Sequence, residues 1–375
     1  MATKDLRVAT GRSTSTRGRP DLKSIGPIAF GPDGILFVAD NAAAAVYAIE
    51  LAGTGEAITQ PPEVDGLDRR LAGFLGCDLA DIVIRDLAVD PVRQAVYLAV
   101  TRGHGDQALP VLIRLGPTSD LIEVSLDDVA FSSTSIDDAP AENDARLDTR
   151  VVPAGETGEG IEDREYAGIH LRLARQKLRS VTMTDLAYVS GLLLVAGASN
   201  EEFSSTLRRI PFPFRDGAIS NSLEIFHVSH GKYETASPIR AFVPYGEMSV
   251  LASYTCTPVV HFSLADLESG TMAKGRTVAE LGSMNTPLDL LAYKRSGREY
   301  LLVSNSRHPL IKIDCADIDR QEALVRAGEP TGTPRQVLAQ AGVTRMANWN
   351  GSHVLMLQRD AAGNLDLRAY DTASI

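Results

Sequence analysis

Cysteine is scarce in this chain. Three residues (Cys77, Cys256 and Cys315) occur among 375, an odd number and widely separated, which excludes a disulfide framework as the basis of the fold. Long apolar runs are also missing, and none approaches the roughly 18–20 residues that a membrane helix requires. The opening residues Met1–Asp5 lack the hydrophobic segment of a secretory leader, so the expectation is a cytoplasmic protein, or a periplasmic one if a leader has been removed. An excess of positive charge is absent as well. The formal net charge is −11, which argues against nucleic acid and against a membrane surface as partners. No strand is followed by the GxGxxG pattern of dinucleotide binding, so nicotinamide or flavin chemistry is not expected.

What the chain does contain is a recurring phrase. An apolar strand carrying an alanine is followed by a turn, a second apolar strand and a polar loop. The copies are Pro27–Phe30, Asp86–Val89, Asp185–Tyr188, Ile239–Phe242, Leu290–Tyr293 and Arg345–Asn348. Their alanines stand at 29, 88, 187, 241, 292 and 347. A period near fifty residues with several short strands per unit predicts an all-β fold, a β-propeller, because each unit buries its faces only against its neighbours. The count favours six blades over seven, in one domain spanning 1–375. The sixth unit ends after its third strand, and Leu6–Thr10 offers a spare one, so the N-terminal segment is expected to supply the outer strand and close the ring.

Two stretches interrupt the rhythm. Residues 65–80 place Leu71, Phe74 and Leu75 at helical spacing and predict a short helix between units one and two. Residues 132–179 form an insertion between units two and three, acidic first, then Gly-rich at 155–160, then amphipathic through Ile169–Arg175. It is expected to be partly helical. It reads either as a surface excursion or as a lid over the mouth of the ring.

In a four-stranded blade, the loop entering the inner strand and the loop joining strands two and three emerge on one face. Those loops carry most of the chemistry-bearing side chains. Asp86, Asp185 and Arg345 share a register on three inner strands and are expected to face one another across the channel. Confined carboxylates raise one another's pKa while an arginine lowers it, so these three are candidates for acid–base catalysis. His104, Asn200, Glu201, Tyr233 and Asn305 are candidate ligand-binding residues. His230, Glu234, Cys256 and His308 are candidate ligands for a divalent ion, Zn or Ca, brought together from separate blades without any local spacing motif.

The run Gly26–Asp40, with its Gly-Pro, its Gly-Pro-Asp-Gly turn and its apolar Ile35–Ala39, resembles the repeat of six-bladed propellers of the NHL and SMP-30/gluconolactonase type. That resemblance implies a six-bladed architecture and, in the gluconolactonase-like enzymes, a divalent-metal glutamate just before the Gly-Pro. Here that position is Ile25, so the lactonase metal site is not carried over. Asp86 and Asp185 stand where those enzymes place later ligands.

Two functional readings follow. One is a polar site at the channel mouth that binds a small molecule or a metal and performs hydrolase, lyase or isomerase chemistry. The other is a non-catalytic scaffold that holds a protein partner at the mouth or through the insertion.

Overall fold

The computed structural model describes residues 15–375 apart from 52–54, 154, 155, 157–159, 167, 216, 268, 269 and 329. Its described strands form seven sheets, and the protein is a β-propeller. Six sheets begin with a strand on the central channel: Ile28–Phe30, Ile82–Val89, Asp185–Val189, Ala241–Tyr245, Pro287–Arg295 and Val343–Trp349. They are numbered here one to six in chain order. The second strand of each is apolar nearly throughout and buried on both faces, as in Leu36–Ala39, Val96–Val100, Leu193–Ala196 and Val354–Leu357. Such continuous runs, rather than alternation, suit a strand sandwiched between neighbouring sheets. Burial of each large side chain contributes about 1.5–3 kcal/mol.

The order of the sheets around the channel is not their order in the chain. The inner strands pack in a closed circuit: three against four, four against five, five against six, six against two, two against one, and one against three. Sheets one and two have exchanged places. The main apolar cluster reflects this, joining Leu36 of sheet one, Leu98 of sheet two and Leu355 of sheet six. Trp349 of sheet six donates its indole N–H to the Gln94 carbonyl of sheet two at 3.1 Å.

The connections explain the exchange. After the third strand of sheet one, the chain crosses to sheet six, where the Val64 amide and the Leu367 carbonyl pair at 2.9 Å, as do Leu367 amide and Val64 carbonyl. The helix Leu67–Leu75 then packs on sheet six through buried Leu67 and Leu71, as the spacing over 65–80 predicts, and leads into sheet two. From there the chain returns to sheet one, whose fourth strand is Val129–Ser135. The short strand Thr16–Gly18 pairs outside it. Leu6–Thr10 lies outside the described residues. At the edge of sheet six where it was expected, Val64 is found instead.

The seventh sheet is the insertion, with Leu147–Val151, Ile161–Tyr166 and Ile169–Lys177 antiparallel. The expected helical character is corrected here. Ile169, Leu171 and Leu173 alternate with polar residues, and the strand is paired on both edges, which satisfies its backbone without a helix. Among the described residues of the segment, the one helical turn is Leu178–Val181. Most of the Gly-rich 155–160 stretch lies outside the described residues.

Candidate functional site

Three inner strands carry a β-bulge at the same level, at Arg85, Leu288 and Thr344. A bulge leaves one residue without ladder partners and re-aims the next side chain. Sheets five, six and two are consecutive in the ring, so the three freed carbonyls lie close together. Arg345 gathers all of them. Its Nε donates to Arg85 O at 3.0 Å, and its Nη1 to Leu288 O at 2.8 Å and Thr344 O at 2.9 Å. The guanidinium also stands 3.6 Å from Asp86 Oδ1.

Asp86, Asp185 and a third aspartate, Asp289, occupy alternate sheets around the channel. Each accepts the amide of the next inner strand: Asp86 from Ile28 at 2.8 Å, Asp185 from Phe242 at 2.8 Å, Asp289 from Met346 at 2.6 Å. The repeated bond gives the channel an approximate threefold character. Burial holds Asp185 well above the usual carboxylate range, and the charges of Asp289 and Asp86 add to the rise. Burial pushes Asp289 up to about 7; Arg345 opposes and Asp86 reinforces that shift. Burial raises Asp86 too, with Arg345 pulling the other way. Protonation near neutrality is a property that proton-transfer sites use.

These groups line a cavity of about 1250 Å³ at the mouth. Arg85 lines it as well, with Nε bonded to Thr101 Oγ1 at 2.9 Å. Burial lowers the Arg85 pKa, and so does nearby Arg150. The insertion contributes Arg150, Glu156, Gln176 and Lys177 to the same cavity. It is tied down over four sheets. Arg179 donates to Asn41 O and Ala42 O of sheet one. Arg146 donates to Asn200 O and Glu201 O of sheet three. Asp148 forms a buried bidentate pair with Arg240 of sheet four, at 2.5 and 2.8 Å. Val151 N reaches Thr286 Oγ1 of sheet five at 2.9 Å. Sheets two and six complete the cavity wall with Asp106, Leu109, Arg359 and Gly363.

The other expected residues separate into two groups. His104 pairs with Asp81 at 3.3 Å, beside the cavity rather than among its lining residues. Asn200 and Glu201 are exposed, and they meet the insertion through their backbone carbonyls. Tyr233 is exposed on the rim against Phe226 and Lys274. Asn305 is buried and holds the Asn285 loop. None of these five lines the cavity. His230, Glu234 and Cys256, in contrast, do come together at the rim between sheets three and four. His227 joins them: one donor atom from each of His227, His230 and Cys256 lies within 4.8 Å of the other two. Glu234 accepts from His227 Nδ1 at 2.6 Å and His230 Nδ1 at 2.7 Å. Burial works against its charge, but the two histidine hydrogen bonds prevail and hold its carboxyl down to about 2. His308 sits apart, near Gly282.

Two important residues had been missed. The alanine phrase puts Leu290 in the register of Asp86 and so passes over Asp289, because Ala292 stands three residues after its aspartate whereas Ala88 stands two after Asp86, with regular pairing in between in both strands. His227 stands at the end of the strand Ile219–His227, a position that by itself carries no chemical signal. Its hint was the spacing His227-x-x-His230 across a turn that Gly231 closes in the left-handed region, at φ 64°.

No family model matches the chain, and no curated protein matches it. Similar solved structures include the PQQ-bound aldose sugar dehydrogenase of Streptomyces coelicolor, 12% identical over 96% of this chain and 99% of that one, with a TM-score of 0.36. The streptogramin B lyase structure is 9% identical, covering 95% and 97%, with a TM-score of 0.29. The GH43 endo-arabinanase of Bacillus licheniformis is 12% identical, covering 77% and 93%, with a TM-score of 0.37. The closed circuit of channel-lining sheets, and not these similarities, puts the chain in the broad class of β-propeller proteins. Among the described residues, no helix is long and apolar enough to cross a membrane.

Proposed function

We propose that the six channel-lining sheets are the blades of one six-bladed propeller, with the sheet of Leu147–Val151, Ile161–Tyr166 and Ile169–Lys177 as a lid; the expected insertion began at 132, but residues 132–135 belong to the fourth strand of sheet one. The covered cavity at its mouth binds a small anionic molecule and performs proton-transfer chemistry on it, of the hydrolase, lyase or isomerase kind. The observation that carries this reading is the convergence of Arg345 with Asp86, Asp185 and Asp289 inside the covered cavity. Arg85 makes no ion pair among the described residues and would anchor the anion. Arg345 spends Nε and Nη1 on carbonyls, and its Nη2 makes no hydrogen bond among the described residues, so that group would polarise a substrate oxygen. Asp289, titrating near neutrality, would give or take the proton.

The test is a binding screen of small carboxylates and phosphate esters by thermal shift and calorimetry, followed by mass-spectrometric turnover assays on the hits. The reading expects a ligand whose affinity drops at least about tenfold in Arg85→Ala and Arg345→Ala. Asp289→Asn should bind it and lose turnover. A ligand bound equally well by the arginine variants, or no ligand at all, would count against the site and favour the scaffold reading.

A further inference from the structure

We propose that His227, His230 and Cys256 form a zinc site at the rim between sheets three and four, independent of the channel cavity. The two histidines come from the end of the strand Ile219–His227 and the turn after it. Cys256 comes from the loop between the strands Ser249–Ser253 and Pro258–Ser263 of the neighbouring sheet. One donor atom from each lies within 4.8 Å of the others.

Four observations point to a metal rather than to ordinary packing. The first is the state of His227. Its Nδ1 is bonded to Glu234, while its Nε2 is buried and has no hydrogen-bond partner among the described residues. A buried polar atom left in that state forfeits its hydration without replacement, and a metal ion would satisfy it.

The second is the placement of Glu234. One carboxylate holds the Nδ1 of both histidines, with Lys232 Nζ a further neighbour at 3.3 Å. A ligating histidine ordinarily donates its other ring N–H to a carboxylate, which fixes the tautomer and orients the ring. Both rings here are arranged that way, leaving both Nε2 atoms for the ion.

The third is the backbone at Cys256. Cys256 and Thr257 both adopt left-handed conformations, at φ 65° and 58°. A non-glycine residue held there is strained and marks a position that is over-determined by its surroundings. The loop is pinned by Cys256 N donating to Asn285 O at 2.7 Å and Thr257 Oγ1 to Gly282 O at 2.9 Å.

The fourth is the donor set. Two imidazoles and a thiolate suit Zn and not Ca, which takes oxygen ligands. Thiolate and outer carboxylate together balance the two charges of the ion. Binding would release the Cys256 thiol proton to solvent. His230 is 44% exposed at its side chain, so the fourth position opens to solvent, as in sites that bind water or an exchangeable ligand.

The test uses the full chain, purified without a histidine tag and stripped with a chelator. Zn content by elemental analysis is expected to return to one ion per chain. The Co-substituted protein should show a thiolate-to-cobalt charge-transfer band that Cys256→Ser abolishes. Glu234→Gln should weaken Zn binding by roughly 10- to 100-fold. His308→Ala should leave binding unchanged. In case Cys256→Ser folds poorly, alkylation of the wild-type protein supplies a separate readout, because Zn should protect Cys256 from iodoacetamide. No stoichiometric Zn, a charge-transfer band that survives Cys256→Ser, or equal alkylation with and without Zn would overturn the proposal.

Discussion

Arg345 donates from Nη1 to the Leu288 carbonyl at 2.8 Å, across the boundary between two sheets. The same side chain serves the Arg85 and Thr344 carbonyls and lies 3.6 Å from Asp86. Three bulges and a carboxylate therefore depend on one cation. Arg345→Ala should destabilise the protein by about 2–4 kcal/mol at neutral pH, through orphaned carbonyls and an uncompensated carboxylate. The loss should be smaller at acid pH, where the aspartates are protonated. Urea unfolding at the two pH values measures the difference, and an equal loss at both would mean that the cation acts only through its hydrogen bonds.

Asp289 makes a prediction about pH. Its carboxyl rises from an ordinary 3.8 to about 7 in the folded protein. Across that window the folded state keeps a proton that the unfolded chain has released, so the contribution of this group to stability falls as pH rises and is flat above it. Asp289→Asn keeps an acceptor for the Met346 amide and removes the titration. The variant should lose part of the decline between about pH 4 and pH 7 and melt a few degrees higher than the parent at mildly alkaline pH. Melting curves across the range decide this, and an unchanged slope would contradict it.

The insertion sheet is held to sheet four by a buried ion pair. Asp148 lies below the usual carboxylate range, because burial works against its charge but the Arg240 guanidinium outweighs that effect. Asp148→Ala would leave Arg240 buried without its partner, at a cost of roughly 3–5 kcal/mol. Hydrogen exchange should rise over the strands Leu147–Val151 and Ile169–Lys177 before it rises in the inner strands. Uniform exchange would mean that the insertion sheet and the ring unfold as one unit.

Val64 tests how the ring closes. Its amide and carbonyl both pair with Leu367 at 2.9 Å, and proline there removes the donor. Val64→Pro should cost about 2–3 kcal/mol, and proteolysis should then cut first between the helix Leu67–Leu75 and sheet six. A Val64→Ala control, which keeps both backbone bonds, separates this effect from lost packing.

Much of this was legible in the sequence. The apolar second strands announce themselves because they are buried on both faces, and the inner strands that carry Asp86, Asp185 and Arg345 follow from them. The convergence of His230, Glu234 and Cys256 could be anticipated from loop placement alone. Asp289 escaped because the alanine used to align the repeat sits one residue later in sheet five than in sheet two, three residues after the aspartate instead of two, so the alignment set Leu290 opposite Asp86. His227 escaped because a residue ending an outer strand looks the same whether its ring meets solvent or a neighbouring sheet. The exchange of sheets one and two was not legible. It depends on where residues 51–81 cross the molecule, and no local pattern records that path.

The exchange has a consequence for vectorial synthesis. Sheet two emerges early from the ribosome, yet one of its two neighbours is sheet six, the last to be made. Until residues 343–371 arrive, the flank of sheet two that bears Leu98 has no permanent cover. The nascent chain must therefore carry an unfinished hydrophobic seam through most of its translation, and a premature stop shortly before residue 343 would leave that seam open for good.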